Sequence, residues 1–376
     1  MPDSDIIRLR HDLHSEPEVS NREKKTAERI REFIGKMKPA AITGVGSTGV
    51  AFTFNGKSEG PVVMFRSELD ALPVTETTDL PYSSSIKGVA HACGHDGHMA
   101  ILAALAKRIA AEPPLRGKAV LLYQPAEEVE QGARDVVNDP RFRDIEPDYI
   151  FALHNIPGEK SGSVILRNGT FAAASKGMTV KLHGKTSHAG EPENGISPAA
   201  AISDIIRELH TLREDKSLFK SLTLLTIIHI RMGEVSFGTS PGYAEIMITL
   251  RAYENRDMEM LTSRAEEIVR SAAEREHLGV EIAYDEIFPA TVNDPGCVDM
   301  VRESAREIPL TVQNNDHPYR WSEDFAYFTE KYSGCLFGLG AGTGQPALHN
   351  PEYDFPDTII DPGTEIFFNI YKKLLR

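Results

Sequence analysis

Four short apolar runs constrain this chain more than any other feature of it: Val62–Phe65, Ala119–Tyr123, Tyr149–Leu153 and Cys335–Leu339. Unbroken apolar strands of this length are buried on both faces, the pattern of a parallel sheet covered by helices. Between the first two runs, Ala100–Ala110 carries Ile101, Leu102, Leu105 and Ile109 on one helical face. Apolar spacing predicts two more helices, over Asp5–Leu13 and Asn21–Ile34, the second opened by Ser20-x-x-Glu23, a capping-box pattern. Strands alternating with helices make the expected fold class α/β, with a mostly parallel sheet.

The middle of the chain follows a different pattern. Met178–His183 alternates, Pro198–Leu212 is helical through Ile202, Ile205, Leu209 and Leu212, and Leu222–Ile230 is strand-like. Next comes a strand with Ala244, Ile246, Ile248 and Leu250 on one face and Glu245, Met247, Thr249 and Arg251 on the other. A helix over Met258–Glu274 and an extended Val280–Tyr284 follow. The order βαββαβ is that of a ferredoxin-like unit. A chain of 376 residues is long enough for two cores. The expectation is a ferredoxin-like domain at 176–287 inserted into an α/β domain made of 1–175 and 288–376.

The ionisable residues fall where those strands end. Val62–Phe65 runs into Glu68 and Asp70, Ala119–Tyr123 into Glu127 and Glu128, Tyr149–Leu153 into His154, and Cys335–Leu339 leads towards His349. Ligands bind at the carboxyl edge of open α/β sheets, so residues distant in sequence can converge there. Between Ala90 and Ala100 the chain also packs His91, Cys93, His95, Asp96 and His98, and a thiolate with neutral imidazoles suits Zn²⁺ and its transition-metal neighbours. Each residue alone has a plain structural alternative: Glu127-Glu128 as an exposed acidic pair, His154 as a hydrogen-bonded strand residue, Asp70 as a turn cap, His91 and His98 as structural groups.

Composition removes several classes of function. The net charge is −14, from 55 acids and 41 bases, which repels phosphate backbones and disfavours nucleic acid as a partner. Three cysteines, Cys93, Cys297 and Cys335, are an odd number and argue for a reducing compartment. Met1–Leu13 is charged throughout and lacks the apolar core of a signal peptide, and no stretch is long and apolar enough to span a bilayer, so the expected location is the cytoplasm.

The strings Leu69-Asp70-Ala71-Leu72-Pro73, His91-Ala92-Cys93-Gly94-His95-Asp96-Gly97-His98, Gln124-Pro125-Ala126-Glu127-Glu128, Ser322-Glu323-Asp324-Phe325-Ala326-Tyr327-Phe328 and Leu348-His349-Asn350-Pro351 resemble the M20 metallopeptidase family. More narrowly, they resemble its N-acyl-amino-acid amidohydrolase branch, which includes hippurate hydrolases and auxin-conjugate hydrolases. The resemblance spans almost the whole chain. It implies a metallohydrolase domain in which Cys93, His95, Glu128, His154 and His349 ligate two divalent ions, with Cys93 bridging and Glu127 as general base. It also implies that the inserted domain is a lid that mediates dimerisation. Two divalent ions bring four positive charges against the two negative ones of the Cys93 thiolate and Glu128, an excess that would activate a water and polarise a carbonyl.

Asp70 is then expected to orient a ligand histidine rather than bind an ion. Gly184-Lys185-Thr186-Ser187-His188-Ala189-Gly190 resembles the family's glycine-histidine segment, which makes His188 a candidate donor to a tetrahedral oxyanion, with a surface-loop histidine as the alternative. Arg251 is a candidate for binding a substrate carboxylate, with a surface ion pair as the alternative. The chain also departs from the family: Gly238-Thr239-Ser240-Pro241 stands for the usual Asn-Val-Ile-Pro, Arg66-Ser67-Glu68 for Arg-Ala-Asp, and Trp321 for a glycine. If Trp321 lines the pocket it narrows it towards a small acyl group; the alternative is that it faces the core.

The reading that results is a metal-dependent amidohydrolase, a deacylase that cleaves an N-acyl amino acid or related conjugate to a carboxylic acid and a free amine. A dipeptidase using the same site and a binding protein on a retired amidohydrolase scaffold are the alternatives. Nucleophilic catalysis by Cys93 leaves Glu127, Glu128 and His349 unexplained, and a zinc deaminase would need a Pro-Cys-x-x-Cys string that is not found. Mixed sulfur, nitrogen and oxygen donors fit Zn²⁺, Mn²⁺, Co²⁺ or Ni²⁺. The expected partners are a small N-acyl amino acid or dipeptide and a second copy of the chain, paired through an exposed strand edge of the inserted domain.

Overall fold

The computed structural model describes residues 3–215 and 217–376. The chain forms two compact units, one built from the segment ending at Phe171 with Thr291–His317 and Glu323–Arg376, the other from Ala172–Ala290 with Pro318–Ser322. In chain order the first contributes α1 (Ser4–Ser15), α2 (Lys24–Gly35), β1 (Ala41–Val45), β2 (Gly49–Asn55), β3 (Val62–Glu68), α3 (His95–Ala111), β4 (Lys118–Gln124), α4 (Gly132–Asn138), β5 (Tyr149–Pro157), β6 (Val164–Leu166) and β7 (Gly169–Ala172). The second contributes β8 (Ala174–His183), β9 (Ser187–His188), α5 (Ala199–Glu214), β10 (Thr223–Met232), β11 (Thr239–Ser240), β12 (Tyr243–Ala252), α6 (Asn255–Arg275) and β13 (Gly279–Phe288). The first then resumes with β14 (Thr291–Asn293), α7 (Pro295–Arg306), β15 (Val312–Asn314), α8 (Ala326–Thr329), β16 (Ser333–Gly342) and α9 (Ile360–Leu375).

Among the described residues of the first unit, eight strands form a sheet in the order β1-β2-β4-β3-β5-β16-β6-β15. Its centre, β4-β3-β5-β16, is parallel, and β1 and β2 add antiparallel at one edge. The four central strands are buried along nearly their whole length, so their sequences read as unbroken apolar runs. Each outruns its apolar core: Glu68 and His154, expected beyond the strand ends, lie inside β3 and β5. A polar residue remains in a buried ladder when its side chain is paired, and both of these are.

Helix α3 begins at His95 rather than near Ala100, so the thiol-histidine segment runs into its first turn. It is buried nearly all round and shares one core with Phe65, Phe151, Phe337 and Phe367, each such side chain contributing about 1.5–3 kcal/mol on burial. The capping box of α2 does not form. Glu23 occupies the N-cap without a side-chain cap, and Ser20 Oγ donates instead to Asp70 Oδ2 at 2.7 Å. Glu23 accepts from the Ala126 amide at 2.8 Å and the Thr48 hydroxyl at 2.7 Å, so tertiary partners take the groups that would have closed the box. On α1 the charged Arg10 and His14 are fully buried.

In the second unit β10-β12-β8-β13 form an antiparallel sheet, and α5 and α6 share its core through Ile205, Leu209, Leu261 and Val269. This is the βαββαβ strand order of a ferredoxin-like unit. Its bounds, Ala172 and Ala290, lie a few residues outside 176 and 287, and the distant segment Pro318–Ser322 joins it. That segment is held by the Ala173 amide, which donates to the carbonyls of Tyr319 and Trp321, and by the Arg251 side chain, and no local sequence pattern announces it. Ile228, Ile230 and Met232 on edge strand β10 are exposed, as are Val235 and Phe237 in the turn that follows. No helix among the described residues is long and apolar enough to cross a membrane.

Candidate metal centre

Gly94 makes the transition from loop to α3, at φ +90°, in the left-handed region. A Cβ there would meet the side chain of Asn155 at 2.8 Å, so glycine is required both for the turn and for the approach of β5. The tight turn delivers Cys93 and His95 to the carboxyl edge of the central strands. There the donor atoms of Cys93, His95 and His154 lie within 4.8 Å of one another, and so do those of Cys93, Glu128 and His349. Cys93 belongs to both groups. A third group, His95, Glu127 and Glu128, joins them.

The histidines are oriented by oxygen atoms. His95 Nδ1 donates to the Asp70 carbonyl oxygen at 2.8 Å, which leaves Nε2, buried and without a hydrogen-bond partner, 3.9 Å from oxygens of both Glu127 and Glu128. His154 Nδ1 faces the Asn155 carbonyl at 3.0 Å and its Nε2 lies 3.5 Å from Cys93 Sγ. His349 sits on a loop with its side chain 56% exposed, Nε2 3.7 Å from Glu128 Oε2, and its amide donates to the Ala92 carbonyl at 2.9 Å. The Asp70 side chain also faces the His95 ring, with Oδ1 3.5 Å from His95 Nδ1. Its Oδ2 accepts from Ser20 Oγ and from the Glu128 amide at 2.9 Å.

Negative charge is concentrated here beyond what the neighbouring cations balance. Burial, then Glu323 and Glu128, push the Glu127 carboxyl well above the usual carboxylate range. Burial pushes Glu128 up to about 7 against the pull of His95, and burial together with Glu128 and Glu127 pushes the Cys93 thiol up. Burial opposes charge on His95, but Asp70, Glu68 and Glu128 outweigh it and hold the ring at about 10, so a proton occupies the outward nitrogen. Burial, then His98, push His154 down to about 3. Acids and a thiol pushed towards their neutral forms, with buried His95 Nε2 and Glu128 Oε1 atoms lacking hydrogen-bond partners, fit a set that a cation would complete.

Other histidine–carboxylate groupings in this unit have different roles. His98, in the same string as His95, commits Nδ1 to Glu68 at 2.6 Å and Nε2 to Asn155, whose amide in turn donates to the Tyr353 hydroxyl. His14 commits both nitrogens to Asp96 and Glu76. His91 is buried with neither ring nitrogen bonded, and burial pushes it down to about 4, so it is neutral. Buried Arg66 holds Glu68, Gln124, Glu323 and Asp324 together, and Glu323 and Asp324 in turn act on Glu127. The sequence reading missed Arg66, although an arginine inside the apolar strand Met64-Phe65-Arg66 must find acids.

The remaining candidates belong to the second unit. His188 is exposed on β9, which pairs with β11, and its Nδ1 accepts from the Gly190 amide at 3.1 Å. Arg251 on β12 donates from Nη1 to the Arg320 carbonyl and to Ser322 Oγ, both at 3.0 Å. Trp321, between them, is partly buried and stacks on Tyr319 with ring centroids 4.8 Å apart.

An α/β sheet with sulfur, nitrogen and oxygen donors gathered at the carboxyl ends of its parallel strands defines a class of metal-dependent hydrolases. Residues 64–373 match the model of peptidase family M20/M25/M40, and the chain belongs to that family. It is 31% identical over 375 residues to an N-acetyl-L-cysteine deacetylase of Bacillus subtilis, covering 98% of this chain and 88% of that protein. It is 28% identical over 371 residues to a hippurate hydrolase of Campylobacter jejuni, covering 98% and 96%. Its fold matches that of a dinuclear metal binding peptidase from Bacillus subtilis with a TM-score of 0.85, at 26% identity and covering 99% and 98% of the two chains.

Proposed function

We propose that this chain is a metal-dependent amidohydrolase that cleaves the amide bond of N-acyl amino acids or related small conjugates. The observation that carries the reading is the shared Cys93: two donor groups, Cys93-His95-His154 and Cys93-Glu128-His349, meet at one thiol beside a buried Glu127. Those five residues would hold two divalent ions of Zn²⁺, Mn²⁺, Co²⁺ or Ni²⁺ type. When bound, the ions supply Lewis-acid activation of water and of the scissile carbonyl. The hydrolytic activities of the named relatives support the same class of substrate.

The chain's own residues do the proton work. Glu127 takes a proton from the attacking water and returns it to the departing amine nitrogen, a role that contributes about 10²–10⁴-fold. Asp70 fixes His95 through its carbonyl and the Glu128 backbone through its carboxylate. In this reading the second unit is the lid: His188 donates a hydrogen bond to the oxyanion, Arg251 engages the substrate carboxylate, and Trp321 limits the acyl group. The chain works in the cytoplasm as a homodimer formed through that unit, with its three cysteines free. Free-amine release from a panel of hippurate, N-acetyl amino acids and dipeptides, with metal-loaded parent and Glu127→Gln proteins, tests this. The parent should release amine and Glu127→Gln should lose about 10²–10⁴-fold of turnover while keeping its metal. Equal turnover by the two would remove Glu127 from the mechanism, and a preference for dipeptides would reassign the chain as a peptidase.

A further inference from the structure

We propose that Arg10, with His14 beside it, is a positioning residue of the metal centre, clasping the helix turn that carries His95 to the loop that carries His349. Arg10 is fully buried on α1, far in sequence from both segments. Its Nη1 lies 2.9 Å from Asp96 Oδ2 and 2.9 Å from Asp354 Oδ1, and its Nε donates to Asp357. Asp96 directly follows His95, and Asp354 lies five residues after His349 on the loop that follows β16. One guanidinium therefore fixes the spacing between the two segments, in the planar geometry that suits carboxylates.

The rest of the cluster secures both ends. His14 Nδ1 lies 2.9 Å from the same Asp96 oxygen, and its Nε2 lies 3.3 Å from Glu76. The Tyr82 hydroxyl donates to Asp354 Oδ2 at 2.9 Å, while His11 stacks on the Tyr82 ring and bonds Asp357. At its other end the loop is pinned by the His349 amide on the Ala92 carbonyl and by the Thr77 amide on the Pro351 carbonyl. A buried ion-pair cluster is a poor way to gain stability, because desolvation offsets much of the attraction. It is a good way to fix geometry, and metal donors must be held to within about 0.5 Å. His349 needs this most, because its side chain is largely exposed.

The inference rests on reading Cys93, His95, Glu128, His154 and His349 as metal donors, and the experiment separates the two claims. Chelator-stripped full-length protein is titrated with Co²⁺, following calorimetric stoichiometry and the thiolate-to-cobalt and d–d absorption bands, for the parent, Arg10→Lys and Asp354→Asn. The parent should take two Co²⁺; a parent that takes none overturns the donor assignment itself. Variants with parent-like circular dichroism should bind one Co²⁺ normally and the other, held by the His349 group, about 10–100-fold more weakly, with altered d–d bands. Lysine keeps the charge but lacks the separate Nε donor to Asp357 and the rigid fork that sets the angle between the carboxylates, so the effect is read as geometry rather than charge. Folded variants that bind both ions within about twofold of the parent, with its spectrum, overturn the clasp. If Arg10→Lys fails to fold, Asp354→Asn decides between the same two outcomes.

Discussion

Asp70 is fully buried and serves three neighbours at once: its carbonyl accepts from His95 Nδ1, and its Oδ2 accepts from Ser20 and from the Glu128 amide. Asp70→Asn would turn one carboxylate oxygen into an NH₂, which must face either the Glu128 N–H or the His95 Nδ1–H, donor against donor. We expect metal affinity and turnover to fall about 10–100-fold, read by metal titration and kcat; parent-like values would show that the carboxylate does not orient the site. At this scale the sequence was partly legible. Cys93 and His95 announce themselves by residue type, and the strand-end rule brought Glu127, Glu128 and His154 to the same edge. How each histidine uses its ring was not legible, because His95 and His98 differ only in partners supplied by other strands: a free Nε2 in one case, Glu68 and Asn155 in the other.

Helix α1 shows how an element can be foreseen while its role is not. Its apolar spacing marked a helix, but nothing local to it shows that Arg10 and His14 meet the carboxylates of Asp96 on α3 and of Asp354. Burial works against a charge on His14, yet Asp96 and Glu76 outweigh it and hold the ring at about 10, above its ordinary 6.5. A folded-state pKa raised in this way contributes stability that is fully present below 6.5 and is lost as pH climbs to 10. The thermal stability advantage of the parent over His14→Gln, both at the same metal content, should therefore narrow steadily across that window. A gap that stays constant from pH 6.5 to 10 would mean that His14 is neutral in the folded protein. The failed capping box of α2 teaches the same lesson, since Ser20 and Glu23 were claimed by Asp70 and Ala126, groups that a local pattern does not contain.

The change from buried parallel strands to alternating antiparallel ones was legible; the return of Pro318–Ser322 to the second unit, carried by the Ala173 amide and the Arg251 side chain, was not. The second unit presents Ile228, Ile230 and Met232 on an edge strand and Val235 and Phe237 in a fully exposed turn, a combination that invites pairing. If the homodimer forms there, the parent should sediment as a dimer and Ile228→Arg as a monomer; an Ile228→Arg protein that remains dimeric would move the interface elsewhere. The two units also make separate predictions for metal. The candidate donors lie in the first unit, whose centre holds Glu127, Glu128 and a thiol pushed towards their protonated forms by burial. The second has its own core around Ile205, Leu261 and Val269. An ion that binds only the folded state stabilises it by about 2.7 kcal/mol at a hundred times its Kd. Chelation should therefore lower the unfolding temperature of the first unit and leave the second unit's transition in place, a split that calorimetry resolves when units unfold independently. Restoring Mn²⁺ or Zn²⁺ should reverse the shift, and a Cys93→Ala, His95→Ala double variant should not respond to either treatment. Transitions identical with and without chelator in the parent would mean that the gathered thiol, imidazoles and carboxylates hold no ion that matters to the fold.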